Sequence, residues 1–196
     1  MYRMEAENYQ RDLKYERQQF TIVSLEKGEY ESCIFNGCDF NALNLSNYKF
    51  VDCIFNSCNL SLCELQQTAF RDVEFKDCKL MGLRFDQTNT FGLSFTFEAC
   101  ILDHSIFFGL KLKNTAYRNC RLHEVDFTEC DLTASSFENC DLQRAIFMQC
   151  NLQKADFRTS FNYVLDPELN RIKKAKFSLL GVPGLLYKYD IHIDQS

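Results

Sequence analysis

Tryptophan is absent from this 196-residue chain, and it holds only two prolines and seven glycines. Against an ordinary share of roughly 7% Gly and 5% Pro, the turns cannot rest on the usual Gly/Pro chemistry. No apolar run approaches the ~18 residues of a membrane-spanning helix, so no membrane partner is expected. The opening MYRMEAENYQRDLKYERQQ has no apolar centre and does not read as a secretion signal, so a cytoplasmic location is expected. A basic excess is lacking too, since 22 Lys and Arg face 27 Asp and Glu, for a net charge of −5. Direct nucleic-acid binding is therefore not expected. The three histidines, His104, His123 and His192, have no nucleophile or carboxylate at a fixed spacing, and no Gly-rich phosphate loop or zinc motif occurs. Catalysis, cofactors and metal sites are accordingly not expected.

What the chain does contain is 19 phenylalanines and 11 cysteines, both strictly placed. Written in fives, residues 120–157 read CRLHE VDFTE CDLTA SSFEN CDLQR AIFMQ CNLQK ADF. The centre of each five is Leu122, Phe127, Leu132, Phe137, Leu142, Phe147, Leu152 or Phe157. Two positions earlier stands a small residue: Cys120, Val125, Cys130, Ser135, Cys140, Ala145, Cys150 or Ala155. A period of five is neither 3.6 nor 2, which excludes an ordinary helix or strand and points to a stacked repeat. All eleven cysteines occupy this minus-two position, in one of two frames. That is the behaviour of a small buried residue. Disulfides or a zinc centre would gather cysteines at a few special spacings instead.

The frame opens at Phe20, runs regularly from Tyr30 to Phe85, and resumes at Phe97 displaced by two residues. A two-residue insertion within 86–96 explains the shift; it is a binding feature or a tolerated surface loop. Residues 1–19 read as an amino-terminal arm or cap, either helical or disordered. Residues 159–171 read as an excursion, with Asp166-Pro167 as a turn signal, before Ala175 and Phe177 restore one last coil. Residues 179–196 read as a carboxy-terminal cap or dimerisation segment. Leu185, Leu186, Tyr189 and Ile191 are its candidate contacts, either across a dimer or onto the last coil of a monomer.

Residue identity also repeats every twenty, as in Phe35, Phe55, Phe75 and in Phe107, Phe127, Phe147. Four fives per turn predict a four-sided coil, each coil pairing with the next at a sheet spacing of roughly 4.8 Å. The expected fold is all-β, about seven to eight stacked coils. A filled interior leaves function to the outer faces. Between Glu124 and Asp141 stand Glu124, Asp126, Glu129, Asp131, Glu138 and Asp141 with no Lys or Arg among them. Such a stretch offers a negative surface to a basic groove, in imitation of nucleic acid, or serves plain solubility.

The segments CDFNA, CDLTA, CDLQR, CNLQK and ADFRT match the consensus A(D/N)LXX, with Cys often in place of Ala. On these residues the chain resembles the pentapeptide-repeat family over roughly residues 20–178. The resemblance implies a right-handed quadrilateral parallel β-helix. The Cys-rich CDF and CNL fives, DCKLMGLRF at 77–85, the break at VLDPE and the short apolar tail are similar to the Qnr-type quinolone-resistance members. That resemblance implies a homodimeric DNA mimic that binds DNA gyrase or topoisomerase IV. The chain departs from those members in the Pro183-Gly184 interruption of its tail and in lacking large mid-solenoid loops. An interaction scaffold for an unrelated protein partner is the alternative.

Overall fold

The computed structural model describes residues 8–194. Eleven short strands run in chain order as β1 (Asn8–Arg11), β2 (Lys14–Glu16), β3 (Gly28–Glu31), β4 (Ile34–Asn36), β5 (Lys49–Val51), β6 (Ile54–Asn56), β7 (Ala69–Arg71), β8 (Val73–Lys76), β9 (Phe95–Glu98), β10 (Ala116–Arg118) and β11 (Ser136–Glu138). They form two parallel sheets, one of four strands in the order β1-β3-β5-β7 and one of seven in the order β11-β10-β9-β8-β6-β4-β2. The four-stranded sheet is the first wall of a solenoid, and the seven-stranded sheet is the second. Ladders of single bridges make the third wall (Gln19, Asp39, Asn59, Lys79, Ile101, Arg121, Asp141, Phe161) and the fourth (Arg84, Ile106, Asp126, Ile146). This is the expected four-sided parallel β-solenoid.

The period of five creates the walls because each side turns one corner. The second residue after each centre sits there in the left-handed region, as at Asp52 (φ 52°), Glu129 (φ 61°) and Lys154 (φ 61°). Asn and Asp tolerate that conformation well and take some of these corners, but Ala42, Leu62, Gln67, Glu129 and Lys154 hold it too, so the repeat itself imposes the turn on residues other than glycine. Backbone groups pair with the coils on either side, as in Asn59 N–H to the Cys38 carbonyl (3.0 Å) and Leu60 N–H to the Lys79 carbonyl (2.8 Å). The requirement that buried peptide groups be paired is therefore met between coils.

Inside the second wall stands one aromatic column: Tyr15, Phe35, Phe55, Phe75, Phe97, Tyr117, Phe137, Phe157 and Phe177. Successive centroids lie 4.7–5.4 Å apart with ring planes within 20° of parallel. Rings of a second column meet it edge-on, for example Phe50 against Phe55 (73°) and Phe127 against Phe137 (81°), which suits the aromatic quadrupole. Each buried Phe contributes roughly 1.5–3 kcal/mol.

Two boundaries differ from the expectation. Coil structure is already present at Asn8, inside the segment read as an arm or cap, because β1 and β2 pair with β3 and β4. Tyr15 lies five before Phe20 and already occupies a centre. The remainder of that segment lies outside the described residues. The excursion at 159–171 adds no residues: Asp141 pairs with Phe161, Asn151 with Arg171 and Asp156 with Lys176, all twenty apart. Within it Tyr163 and Leu165 turn inward and Asn170 is buried. The Asn170 amide takes the cysteine role, accepting from Cys150 N–H (2.8 Å) and donating to the Phe147 carbonyl (3.0 Å).

The insertion falls between Asn89, still twenty from Ala69, and Phe95, which pairs twenty-two residues back with Val73. It emerges at the end of the first wall and leaves Phe91 76% exposed. The Arg71 guanidinium sits 5.3 Å from the centre of its ring. A short helix α1 (Pro183–Leu186) then closes the carboxy-terminal end. It crosses so near the last coil that a Cβ on Gly184 would stand 2.1 Å from the Tyr163 carbonyl oxygen.

Candidate functional site

The interior holds no chemistry for solvent. All eleven cysteines are free and buried. Most donate Sγ–H to a centre carbonyl in the coil below, as Cys58 does to Phe35 (3.2 Å) and Cys78 to Phe55 (3.3 Å). Thr68, Ser105 and Ser135 do the same with their hydroxyls, to Leu45 (2.7 Å), Leu80 (2.7 Å) and Leu112 (2.6 Å). Most Cys, Ser and Thr residues at the minus-two position thus add a side-chain hydrogen bond between coils; elsewhere an apolar residue such as Val125, Ala145 or Ala155 fills the place. Burial pushes the Cys53 and Cys63 thiols up to about 12, so neither is a thiolate near neutrality.

On the outside, the six acidic candidates fall within a single coil, so they ring the rod instead of lining it. Asp126 is on the fourth wall, Asp131 on the first and Asp141 on the third, by their bridge partners Ile146, Asn151 and Phe161. Glu138 is on the second wall in β11. Glu124 and Glu129 occupy corners with φ 55° and 61°. The continuous negative strip suggested by the linear stretch is not what these six build.

Three of them have a local backbone task. The carboxylates of Asp126, Asp131 and Asp141 accept from the N–H two residues on, at Thr128 (2.8 Å), Thr133 (3.1 Å) and Gln143 (3.2 Å). These are Asx turns. Asp39, Asn44, Asn59, Asn89, Asn151 and Asp156 make the same bond at the same place in their fives. Eleven strands carry no Asp or Asn at the residue before their centre, and β11 is followed on its wall by Asp156, where the strand pattern ends. Asp or Asn there closes the turn, but its absence is not enough to extend the wall, since Lys79, Ile101 and Arg121 hold the same place on the third wall and make single bridges only.

The same acids also meet bases one coil away. Asp141 accepts from His123 (2.8 Å) and Asn162 (2.8 Å). Partial burial pushes its carboxyl up, but these bonds outweigh it and hold the group below the usual carboxylate range. Asp131 behaves alike: burial raises it, while the Thr133 hydroxyl and N–H and Lys113 (3.3 Å) bring it down. Glu124 lies between His104 (3.4 Å) and Arg144 (3.3 Å), and Glu138 faces Arg118 (3.7 Å). Asp126 and Glu129 have no ion partner among the described residues. The histidines are thus surface partners of carboxylates.

Charges that do line up are spaced by twenty, and a reading along the chain misses them. The corner between the first and second walls carries Asp12, Ser32, Asp52 and Asp72 in the first half of the rod, and Asn114, Ala134, Lys154 and Lys174 in the second, all with φ between 51° and 62°. Asp52, Asp72, Lys154 and Lys174 are exposed, and none has an ion partner among the described residues. Identity at twenty-residue spacing was the signal for them.

The carboxy-terminal candidates divide. Leu185 packs against the core, and Leu165 N–H donates to the Gly184 carbonyl (3.1 Å). Lys188 ties the cap down through Asp166 (2.9 Å) and Glu168 (2.5 Å), and the Tyr189 hydroxyl also donates to Glu168 (3.0 Å). Leu186 is half-buried, while Tyr189, Ile191, Leu179 and Leu180 remain exposed. The segment therefore serves as a cap and still presents an apolar outer side.

A family model described as "Pentapeptide repeat region" matches residues 23–96 and 92–157. No curated protein matches the sequence. Among solved structures, a trypsin-treated form of QnrB1, a plasmid-mediated fluoroquinolone resistance protein, is similar at 16% identity over 96% of this chain and 100% of its own, with a TM-score of 0.61. HetL, a pentapeptide repeat protein involved in heterocyst differentiation regulation in the cyanobacterium Nostoc, is similar at 14% identity over 88% of this chain and 87% of its own, with a TM-score of 0.42.

Proposed function

The chain belongs to the pentapeptide-repeat family, and we propose that it is a non-catalytic rod that binds a type II topoisomerase in the cytoplasm as a DNA mimic. The observation that carries this reading is the acidic first corner. Asp52 and Asp72 stand on adjacent coils, about 4.8 Å apart, with Asp12 further along the same edge. That spacing is of the same order as the ~3.4 Å rise between phosphates along a DNA strand. Rigid, regularly spaced carboxylates suit a basic groove shaped for a duplex. The choice of gyrase or topoisomerase IV as partner is supported by the end-to-end likeness to a fluoroquinolone resistance protein.

The test is a gyrase supercoiling assay with ciprofloxacin and micromolar protein. Added protein should restore or inhibit supercoiling, and Asp52→Asn/Asp72→Asn should weaken the effect. No protection and no inhibition would sink the proposal. Dimerisation is part of it: the apolar outer side of 179–193, with Leu179 87% and Leu180 81% exposed, meets a second copy. Truncation after Ser178 should halve the light-scattering mass, and an unchanged one-chain mass refutes the dimer.

A second reading is a scaffold for an unrelated protein partner. The pairing of Glu124, Asp131 and Asp141 with bases favours it, because it leaves a mixed surface of the kind common at protein interfaces. Crosslinked affinity capture that recovers a topoisomerase and no other partner would count against it.

A further inference from the structure

We propose that the carboxy-terminal half of the first wall, with its corner toward the second wall, binds the phosphodiester backbone of nucleic acid. Lys111, Asp131, Asn151 and Arg171 are bridged in succession along this wall, a path of about 14 Å at sheet spacing. Lys113 and Lys173 occupy the other outward position of their fives. Lys154 and Lys174 stack on the corner, where Lys154 N–H donates to the Lys173 carbonyl (3.1 Å). Lys111, Lys113, Lys154, Arg171, Lys173 and Lys174 are all exposed. Asp131, the acid of this strip, pairs with Lys113 (3.3 Å). The other five cations have no acidic partner among the described residues. Like charges stacked one coil apart repel, and in a chain of net charge −5 such a strip runs against the overall sign.

The side chains between the cations decide the class of partner. They are Asn114, Asn151 and Gln153, which add amide donors, and Thr133, whose hydroxyl donates to Asp131 (2.6 Å). Phosphate and sugar are bound by Arg and Lys together with Ser, Thr, Asn and Gln. No aromatic side chain interleaves there to stack a base, so backbone recognition without sequence preference follows. An anionic lipid surface would call for apolar groups among the cations to insert, and this strip carries none beyond Ala134. The cations also follow the flank of the rod, as a linear polyanion does. An overall acidic balance concealed the strip, because its members lie up to 63 residues apart in sequence and meet only through the twenty-residue coil.

The experiment is fluorescence anisotropy of a labelled DNA duplex of about 20 base pairs titrated with the full chain, in parallel with sedimentation on vesicles of phosphatidylserine and phosphatidylcholine. Binding should show a dissociation constant on the order of 10⁻⁴ to 10⁻⁶ M that weakens with salt. Lys154→Gln/Lys174→Gln should weaken it about tenfold and flatten the slope of log affinity against log salt by about 1.8, because two phosphates then keep their counterions. Gln67 and Gln149 already occupy such corners at φ 58° and 57°, so the variant keeps the fold, which its melting curve checks. Absence of duplex binding at about 100 µM protein and low salt, binding that the variant leaves unchanged, or binding to vesicles with none to DNA would each overturn the proposal.

Discussion

The coils before the insertion and the coils after it share an interior plan and differ in almost everything else. The aromatic column of the second wall passes through both. The second aromatic column does not. Before the insertion it lines the first wall, as Tyr30, Phe50 and Phe70. From Phe85, just before the insertion, the column lines the fourth wall, continuing as Phe107, Phe127 and Phe147, and the first wall after the insertion is built on Leu112, Leu132 and Leu152. The first wall is a sheet in the earlier coils and a ladder of single bridges in the later ones. Its corner changes from Asp52 and Asp72 to Lys154 and Lys174. Two extra residues at the junction therefore mark an exchange of packing partner inside and of charge outside, while the second and third walls run uninterrupted through it.

The most severe way to break that comparison is to cut the shared column where the halves meet. Phe97 stacks on Phe75 (5.4 Å) and Tyr117 (5.2 Å). Phe97→Ala should cost about 3–5 kcal/mol, read from urea denaturation. One transition before and after means the halves unfold together; a second transition in the variant means this column was their coupling.

Next in size are two tyrosines, one in each half. The Tyr117 hydroxyl is buried with no hydrogen-bond partner, whereas the Tyr48 hydroxyl donates to the Leu25 carbonyl (2.7 Å). Tyr117→Phe should raise stability by about 1–2 kcal/mol, and Tyr48→Phe should lower it by about 0.5–1.5 kcal/mol. Equal signs for the two would contradict the contrast.

A smaller effect separates turn chemistry from charge in the later coils. Asp126→Ala removes the Asx bond to Thr128 and should cost about 1 kcal/mol, while Asp126→Asn keeps an acceptor and should be nearly neutral. A loss for Asn as large as for Ala would make the charge the relevant property. Acid extends the same test. Asp131, Asp141 and Asp156 all lie after the insertion and are held below the usual carboxylate range. Their folded-state values are depressed, so their contribution is complete above the unfolded value of about 4 and is lost as pH falls through the lower folded values. Hydrogen exchange at falling pH should show the later coils loosening before the earlier ones. The smallest effect belongs to the junction itself: Phe91→Ala, at an exposed loop tip, should change stability by less than about 0.5 kcal/mol.

How much of this could be read from the chain follows from what each feature depends on. The period of five, the inward cysteines and the displacement after Phe85 were legible because each is a local spacing. The coil at Asn8–Glu16 is hidden in the sequence because Gln10 occupies a centre, and a polar residue there breaks the pattern without breaking the pairing with Tyr30. Residues 159–171 read as an excursion because Asn162 and Pro167 stand where centres are due. Pairing of Asn151 with Arg171 shows that the coil length never changed. The acidic belt misled for a related reason: neighbours in sequence lie on different walls, and neighbours on a wall lie twenty apart.

By itself, then, the sequence determined the coil. A small and a large residue recurring every five positions leave one economical way to bury both, with each corner residue turned into the left-handed region. Only the tertiary structure decided which outward side chains meet. That depends on four walls, on a two-residue shift and on which carboxylates are already occupied by backbone N–H groups or by bases one coil away. These relations connect residues twenty or more apart, and they set Asp52 over Asp72 at one end of an edge and Lys154 beneath Lys174 at the other.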